Sequence, residues 1–214
     1  GIAHEIRNPL SGINIYLDTA EQILNRGGDP VKMKEILGKI QAASSKIEAV
    51  IRRVMDFSKP SEPRLEPIDI RRPIEEALGL CAVLLRKTGV EIITDLAPGL
   101  PPCRADAQLV EQVVLNLITN AAEAMKGMEN SKKIKICTSR KGTRIVVSVS
   151  DSGPGVPPDL AQRIFDPFFT TKKNSTGIGL SICQRIIHDH GGTLKVSTGP
   201  LGGAEFSFTM PVNS

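Results

Sequence analysis

The chain has 214 residues, 40% of them hydrophobic and 23% charged, an ordinary composition for a globular protein with room for one larger domain and a smaller element. A net charge of +4 is mild, and with aromatic residues at 3% there is no stacking platform for nucleic acid, so the basic excess reads as solvated surface plus a few phosphate contacts. No apolar run approaches the roughly 18 residues that span a bilayer and no signal peptide is visible, while Cys81, Cys103, Cys137 and Cys183 form no CxxC pair, against zinc or a disulfide framework and in favour of reduced thiols in a cytoplasmic setting.

The sequence opens inside a helical pattern without a start methionine and reads as a fragment, whose missing upstream part could hold a sensor or membrane region. Its first cluster is His4-Glu5-Ile6-Arg7-Asn8-Pro9-Leu10. Positions four apart share a helix face, so His4 and Asn8 are neighbours, while Ile2, Ile6, Leu10, Ile13 and Leu17 form another stripe and leave His4 pointing away from the core. Pro9 lacks an amide hydrogen and crowds the carbonyl of Glu5, which predicts a bend beside the histidine. Taken alone, the cluster also fits a surface histidine next to a helix start; the motifs downstream decide.

Helical spacing runs from Gly1 to about Asn25 and stops at Arg26-Gly27-Gly28-Asp29-Pro30. Asp29 can cap a second helix and Pro30 suits its first turn; Ile36, Leu37, Ile40, Ala43, Ile47, Val50, Ile51, Val54 and Phe57 continue it by threes and fours. Lys59-Pro60-Ser61-Glu62-Pro63 ends the pattern. Two such helices offer one apolar face each and no third layer, so pairing with a second copy into a dimeric four-helix bundle is expected. Packing on the next domain is the competing solution, disfavoured by the linker.

Beyond it, Arg64 to Ile70 resembles a short strand, and Asp69 can cap a helix from Arg71 to about Lys87. Val90 to Leu96 alternates as a strand and runs into a proline-rich loop, Ala97 to Pro102. Asp106 suits the N-cap of a helix reaching Met125. Strands follow at Lys133 to Ser139 and Arg144 to Ser150, then a short helix near Pro158 to Ile164, a helix from about Gly179 to His190, and strands at Thr193 to Thr198 and Ala204 to Met210. The mixture predicts an α/β sandwich, one mixed sheet with helices on one face. We place the hairpin at residues 1–60, a linker at 61–66 and the α/β domain at 67–214.

Four stretches of that domain carry chemistry. Asn116 and Asn120 share a helix face, and an amide oxygen is a suitable hard ligand for Mg²⁺, which otherwise keeps waters and substrate phosphates. Asp151-Ser152-Gly153-Pro154-Gly155 follows a hydrophobic strand; its glycines admit a flat ligand and its carboxylate can accept from an exocyclic amine. Ile164 to Lys172 concentrates three of the aromatics, Phe165, Phe168 and Phe169, and is followed by a polar run through Thr176 that could close as a lid, with Lys172 a candidate phosphate contact. Gly177-Ile178-Gly179-Leu180-Ser181 leads into a helix, whose N-terminal amides form an anion site. Each stretch alone has a plain alternative: surface amides, a Gly/Pro turn, aromatic packing, a loop glycine pair.

In order and spacing these stretches resemble the phospho-acceptor box, asparagine box, adenine-reading aspartate, phenylalanine box and glycine boxes of sensor histidine kinases, whose ATP-binding domain belongs to the gyrase, heat-shock-chaperone and histidine-kinase ATPase superfamily. The resemblance covers essentially the whole chain. It implies a two-component kinase that binds ATP and Mg²⁺, autophosphorylates His4, passes the phosphoryl group to an aspartate of a response regulator receiver domain, and also dephosphorylates that regulator. By resemblance Glu5 orients the imidazole, Asn8 serves the phosphatase reaction, Asn120 is the metal ligand and Asn116 supports it, and Asp151 reads adenine. Gly153, Gly155, Thr176, Gly177, Gly179 and Leu180 then line the nucleotide site, and Gly202-Gly203 supports it nearby. His188 and His190 read as surface caps at a helix end.

Two features depart from the family pattern. Glu123 stands three residues after Asn120, where some histidine kinases have a lysine, and the lid between Thr171 and Gly177 is short. An ATP hydrolase of the gyrase or mismatch-repair kind would carry a glutamate one turn before the metal asparagine; Asn116 occupies that place and an amide cannot act as a base. A non-catalytic ATP-sensing scaffold is the other alternative, and the full set of acidic, amide and glycine positions speaks against it.

Overall fold

The computed structural model describes residues 2–58, 63–172 and 175–212, with side chains at 6–48, 63–172 and 175–212. The chain divides into two compact units, one made of Gly1–Pro60 and Phe168–Ile178, the other of Ser61–Pro167 and Gly179–Ser214.

The first unit contains a helical hairpin, α1 (Ile2–Asn25) and α2 (Pro30–Ser58). Its turn is built as the sequence suggests. Gly27 and Gly28 take positive φ (99° and 68°), and their N–H groups donate to the carbonyls of Leu24 and Ile23 at 3.2 and 3.0 Å, closing the last turn of α1. Asp29 Oδ1 accepts the N–H groups of Val31 and Lys32, capping α2. Ile6, Pro9, Ile13, Tyr16, Ala20 and Ile23 are partly covered on α1, as are Met33, Ile40, Ala43 and Ile47 on α2, with Ile36 buried. Leu10, Leu17 and Leu24, seven residues apart, are instead exposed at 48%, 52% and 64%. Pro9 lies inside α1.

In the second unit, five strands form one mixed sheet in the order β2-β4-β5-β7-β6: β2 (Val90–Leu96), β4 (Lys132–Lys141), β5 (Arg144–Asp151), β6 (Leu194–Thr198) and β7 (Ala204–Pro211). Strands β2 and β4 run parallel and the other neighbours antiparallel. Alternation places Ile134, Ile136, Ile145, Val147, Val149, Phe206, Phe208 and Met210 in one core with α3 (Arg71–Thr88), α4 (Ala107–Ala124) and α5 (Gly179–Asp189), which gives a mixed sheet covered by helices on one face, as expected.

Sequence and structure differ in three places. A strand not anticipated, β3 (Cys103–Ala105), pairs antiparallel with β1 (Glu66–Ile68) in a separate two-stranded sheet, and β1 is shorter than the expected Arg64–Ile70 strand. At Pro158–Ile164 there is no α-helix. Pro157 and Pro158 open turns in which Leu160 and Ala161 donate three residues back, and only a 3₁₀ turn, Arg163–Phe165, follows. Finally, His190 is buried, not a surface cap. Its Nε2 accepts the N–H of Asp106 at 3.0 Å, so the ring proton sits on Nδ1 and is donated to the carbonyl of Ile186 at 2.7 Å.

Asp106 caps α4 from an extended conformation, its Oδ1 accepting from Gln108 and Leu109 and its Oδ2 from the N–H of Arg64. Asp106→Ala is expected to lower stability by about 1–2 kcal/mol. His190→Ala, which leaves the Asp106 N–H without its acceptor, should cost about 1–3 kcal/mol, while exposed His188→Ala stays within about 0.5 kcal/mol. Urea denaturation of the three variants checks the ordering.

Candidate active site

Helix α4 carries Asn116 and Asn120 one turn apart on a half-buried face, and α5 begins at Gly179. The two motifs meet directly. Asn116 Nδ2 donates to the carbonyl of Gly179 at 2.8 Å and to Cys183 Sγ at 3.3 Å. A side chain at Gly179 would start 2.8 Å from both polar atoms of the Asn116 amide, so glycine is required there by space, not by φ. Leu180, the next residue, packs against the core.

Asp151 ends β5 and is buried. Its Oδ1 accepts from Gly153 N–H at 2.8 Å and Ala204 N–H at 3.2 Å, and its carbonyl accepts from Gly203 N–H at 3.1 Å. A Cβ at Gly203 would collide with the Asp151 carboxylate and carbonyl, and one at Gly153 would sit 2.8 Å from Oδ1. The last glycine pair, which the sequence suggested as support near the pocket, therefore wraps Asp151 itself; Gly203 and Ala204 are its direct partners. Gly155 takes φ 76° and passes beside Gly203. Ser152 anchors the turn: its hydroxyl accepts from Lys133 N–H at 2.9 Å and donates to the carbonyl of Ser131 at 3.2 Å. Phe165 packs edge-on against Phe206, centroids 6.4 Å apart.

Phe168–Ile178 belongs to the first unit. Phe168 holds an unusual positive φ (69°), and its N–H donates to the carbonyl of Gly177 at 3.0 Å. The hydroxyls of Thr170 and Ser175 lie 2.5 Å apart, and Lys172 N–H donates to Thr170 Oγ1 at 3.0 Å, so the segment is closed at its base. Gly177 takes φ 66°, and a Cβ there would run into the Phe168–Phe169 backbone. Thr176 is buried. Lys173 and Asn174, within the proposed lid, lie outside the described residues.

His4 and Glu5 have their backbones in α1, and their side chains lie outside the described residues; Asn8 is exposed. Among the described residues there is no cluster of three or more His, Cys, Asp or Glu that could hold a metal, and no helix is long and apolar enough to cross a membrane. On the half-buried face of α4, Asn116 and Asn120 present amides beside the hydroxyl of Thr119, which is engaged with the carbonyls of Leu115 and Asn116. One or two neutral oxygens suit a Mg²⁺ that arrives with nucleotide phosphates and keeps its waters.

The thiols are held protonated. Burial pushes Cys183 up to about 12, against a smaller opposing effect of the Asn116 hydrogen bond, and pushes Cys103 to about 11; burial also raises Cys81 and Cys137.

Comparison with known proteins places both parts of the chain. The family model for histidine kinase-, DNA gyrase B- and HSP90-like ATPases matches residues 105–214, and the model for the His Kinase A (phospho-acceptor) domain matches residues 1–63. The chain is 35% identical over 214 residues to the signal transduction histidine-protein kinase AtoS of Escherichia coli K12, covering 100% of this chain and 34% of AtoS. It is 33% identical to the C4-dicarboxylate transport sensor protein DctS of Rhodobacter capsulatus, covering 99% of this chain and 32% of DctS. It thus spans about a third of the length of these curated relatives. Among solved structures, the catalytic domain of histidine kinase ThkA superimposes with a TM-score of 0.63 at 35% identity, covering 69% of this chain and 95% of that one. Histidine kinase ThkA in complex with response regulator protein TrrA matches with a TM-score of 0.79 at 31% identity, covering 99% of this chain and 60% of that one.

A pH dependence follows from the thiols. The unfolded chain releases these protons near the ordinary value of 9.0, whereas the folded chain keeps those of Cys103 and Cys183 to about 11 and 12. Their contribution to stability is full below about pH 9 and declines as pH rises from there. Iodoacetamide at about pH 8 should leave Cys81, Cys103 and Cys183 unmodified in the folded protein and label them on unfolding, read by peptide mass spectrometry.

Proposed function

This chain belongs to the sensor histidine kinases of two-component systems, and from that premise we propose that it transfers the γ-phosphoryl group of ATP to His4 and onward to an aspartate of a response regulator. The neutral imidazole attacks the γ-phosphorus through its distal nitrogen. The bond to the bridging oxygen breaks, ADP leaves, and the proton on the other ring nitrogen is shared with Glu5. An imidazole with the reference value near 6.5 is largely unprotonated at neutral pH, which suits the nucleophile.

For the nucleotide end, the junction of two motifs carries the proposal: Asn116 of the asparagine box is hydrogen-bonded to Gly179 of the glycine box. That contact puts amides at the start of α5 beside the amide face of α4, a combination suited to phosphates. Asn120 would hold Mg²⁺, which supplies charge neutralisation on the transferring group, and Asn116 would support it. Asp151, buried and pinned by Gly153, Gly203 and Ala204, would accept from the adenine amino group. Gly153, Gly155, Thr176, Gly177, Gly179 and Leu180 complete the nucleotide site, and Lys172 is proposed as the lid's phosphate contact. We place the domain limits at 1–60 for the phosphotransfer hairpin, 61–66 for the linker and 67–214 for the ATP-binding domain.

The exposed seam Leu10, Leu17 and Leu24 supports dimerisation through the hairpin, because a seven-residue apolar repeat on a solvent face suits packing against a second copy in a four-helix bundle. Exposed Asn8, one turn from His4, is proposed to orient the hydrolytic water when the regulator is dephosphorylated. The bend at Pro9 and placement of this portion in the cytoplasm belong to the same proposal.

Incubation with γ-labelled ATP and Mg²⁺ should give acid-labile, base-stable label on the protein, abolished in His4→Gln; label surviving that substitution overturns the kinase assignment. Asn8→Ala should slow regulator dephosphorylation at least about tenfold with ATP binding unchanged, and equal losses in the two assays would remove the proposed role. Leu17→Glu is expected to shift the protein to monomer in analytical ultracentrifugation.

A further inference from the structure

Cys183 is not part of any nucleotide motif recognised in the sequence, yet it touches one. It is wholly buried in α5, one helical turn after Gly179. Its sulfur lies 3.3 Å from Asn116 Nδ2, and its S–H is directed to the carbonyl of Val113 at 3.9 Å. The Asn116 amide nitrogen carries two hydrogens. One goes to the Gly179 carbonyl and the other to Cys183. Flipping the amide would set its oxygen against the Gly179 carbonyl, two acceptors face to face, and would abandon the bond to sulfur. Both N–H groups are thus committed within the protein, and Oδ1 is the part of the amide left to serve a ligand.

We propose that Cys183 is a positioning residue of the nucleotide site: its thiol, together with the Gly179 carbonyl, fixes the rotamer and the face of Asn116, and through it the spacing of α4 and the first turn of α5. It does not touch nucleotide or metal. It rests on the reading that the asparagine face of α4 receives the nucleotide's Mg²⁺. Removing the acceptor leaves one Asn116 hydrogen without a partner and lets the amide rotate, so the metal-dependent part of ATP binding weakens while the metal-independent part does not.

The test uses the full chain and equilibrium titration of ATP at a series of Mg²⁺ concentrations, with thermal unfolding run alongside. Cys183→Val keeps an apolar side chain of similar size and removes the acceptor; Cys183→Ala serves if valine does not fold; Cys183→Ser retains a group that accepts and donates. The Mg²⁺ concentration for half-maximal ATP binding should rise about three- to tenfold in Cys183→Val, the loss of one hydrogen bond, and stay within about twofold of the parent in Cys183→Ser. Binding of ATP without Mg²⁺ should be unchanged in both. An unaltered Mg²⁺ dependence in the valine or alanine variant overturns the proposal, and so does a serine variant as impaired as valine, which would mark a packing role. Failure of the underlying reading has a separate signature: Asn116→Ala and Asn120→Ala would leave the Mg²⁺ dependence at its parental value.

Discussion

The second unit depends on a clamp between α4 and α5 that closes at two points. At one end the backbone N–H of Asp106, just before α4, donates to His190 at the end of α5; at the other Asn116 donates to Gly179 at the start of α5. Ten residues of α4 and eleven along α5 separate the two points, about 15 Å of helix in each case. The helices are therefore antiparallel and in fixed register. Neither bond is worth more than about 1–3 kcal/mol, but together they forbid a slide of one helix on the other without orphaning a polar group at each end. Everything proposed for the nucleotide site inherits its spacing from this clamp.

Much of this was legible in the sequence because it is local. The Gly27-Gly28-Asp29-Pro30 turn, the cap at Asp106 and the alternating strands each follow from residues within a few positions of one another, and they stand where expected. The parts that were not legible rest on partners far away in the chain. Strand β3 is only Cys103–Ala105, too short to show alternation, and exists because β1, some 35 residues earlier, offers an edge to pair with. His190 followed by two glycines has the signature of an exposed helix end, and only the approach of Asp106, 84 residues earlier, makes it an interior acceptor. At Pro158–Ile164 the composition allows a helix, but the chain closes only separate turns there, Leu160 on Pro157 and Ala161 on Pro158, ahead of the 3₁₀ turn.

The candidate site divides in the same way. Resemblance to compact family motifs was enough to nominate Asn116, Asp151 and the glycines. It could not show that Gly203 and Ala204 from the far end of the chain are the groups holding Asp151, or that Cys183 shares the Asn116 amide. Both contacts are made by residue types that carry no chemical signal of their own. A glycine required by space, such as Gly179 or Gly203, leaves no trace in φ and looks like any loop glycine until the neighbouring side chain is seen. Gly177 is different, with its positive φ and the Phe168–Phe169 backbone packed against it.

The commitment of Asn116 also bears on the choice between a kinase and a hydrolase. A group that activates water must have a basic lone pair in reach of the water and freedom to take a proton. An amide nitrogen has no such lone pair, and here both of its hydrogens are engaged with Gly179 and Cys183. A carboxylate could not simply replace it, because it would bring negative charge against the carbonyl of Gly179 and has no hydrogen to donate to that carbonyl or to the Cys183 sulfur. The interior of the α4–α5 contact is thus built for a neutral donor. Its environment disfavours a water-activating base at this position, which speaks against the hydrolase reading.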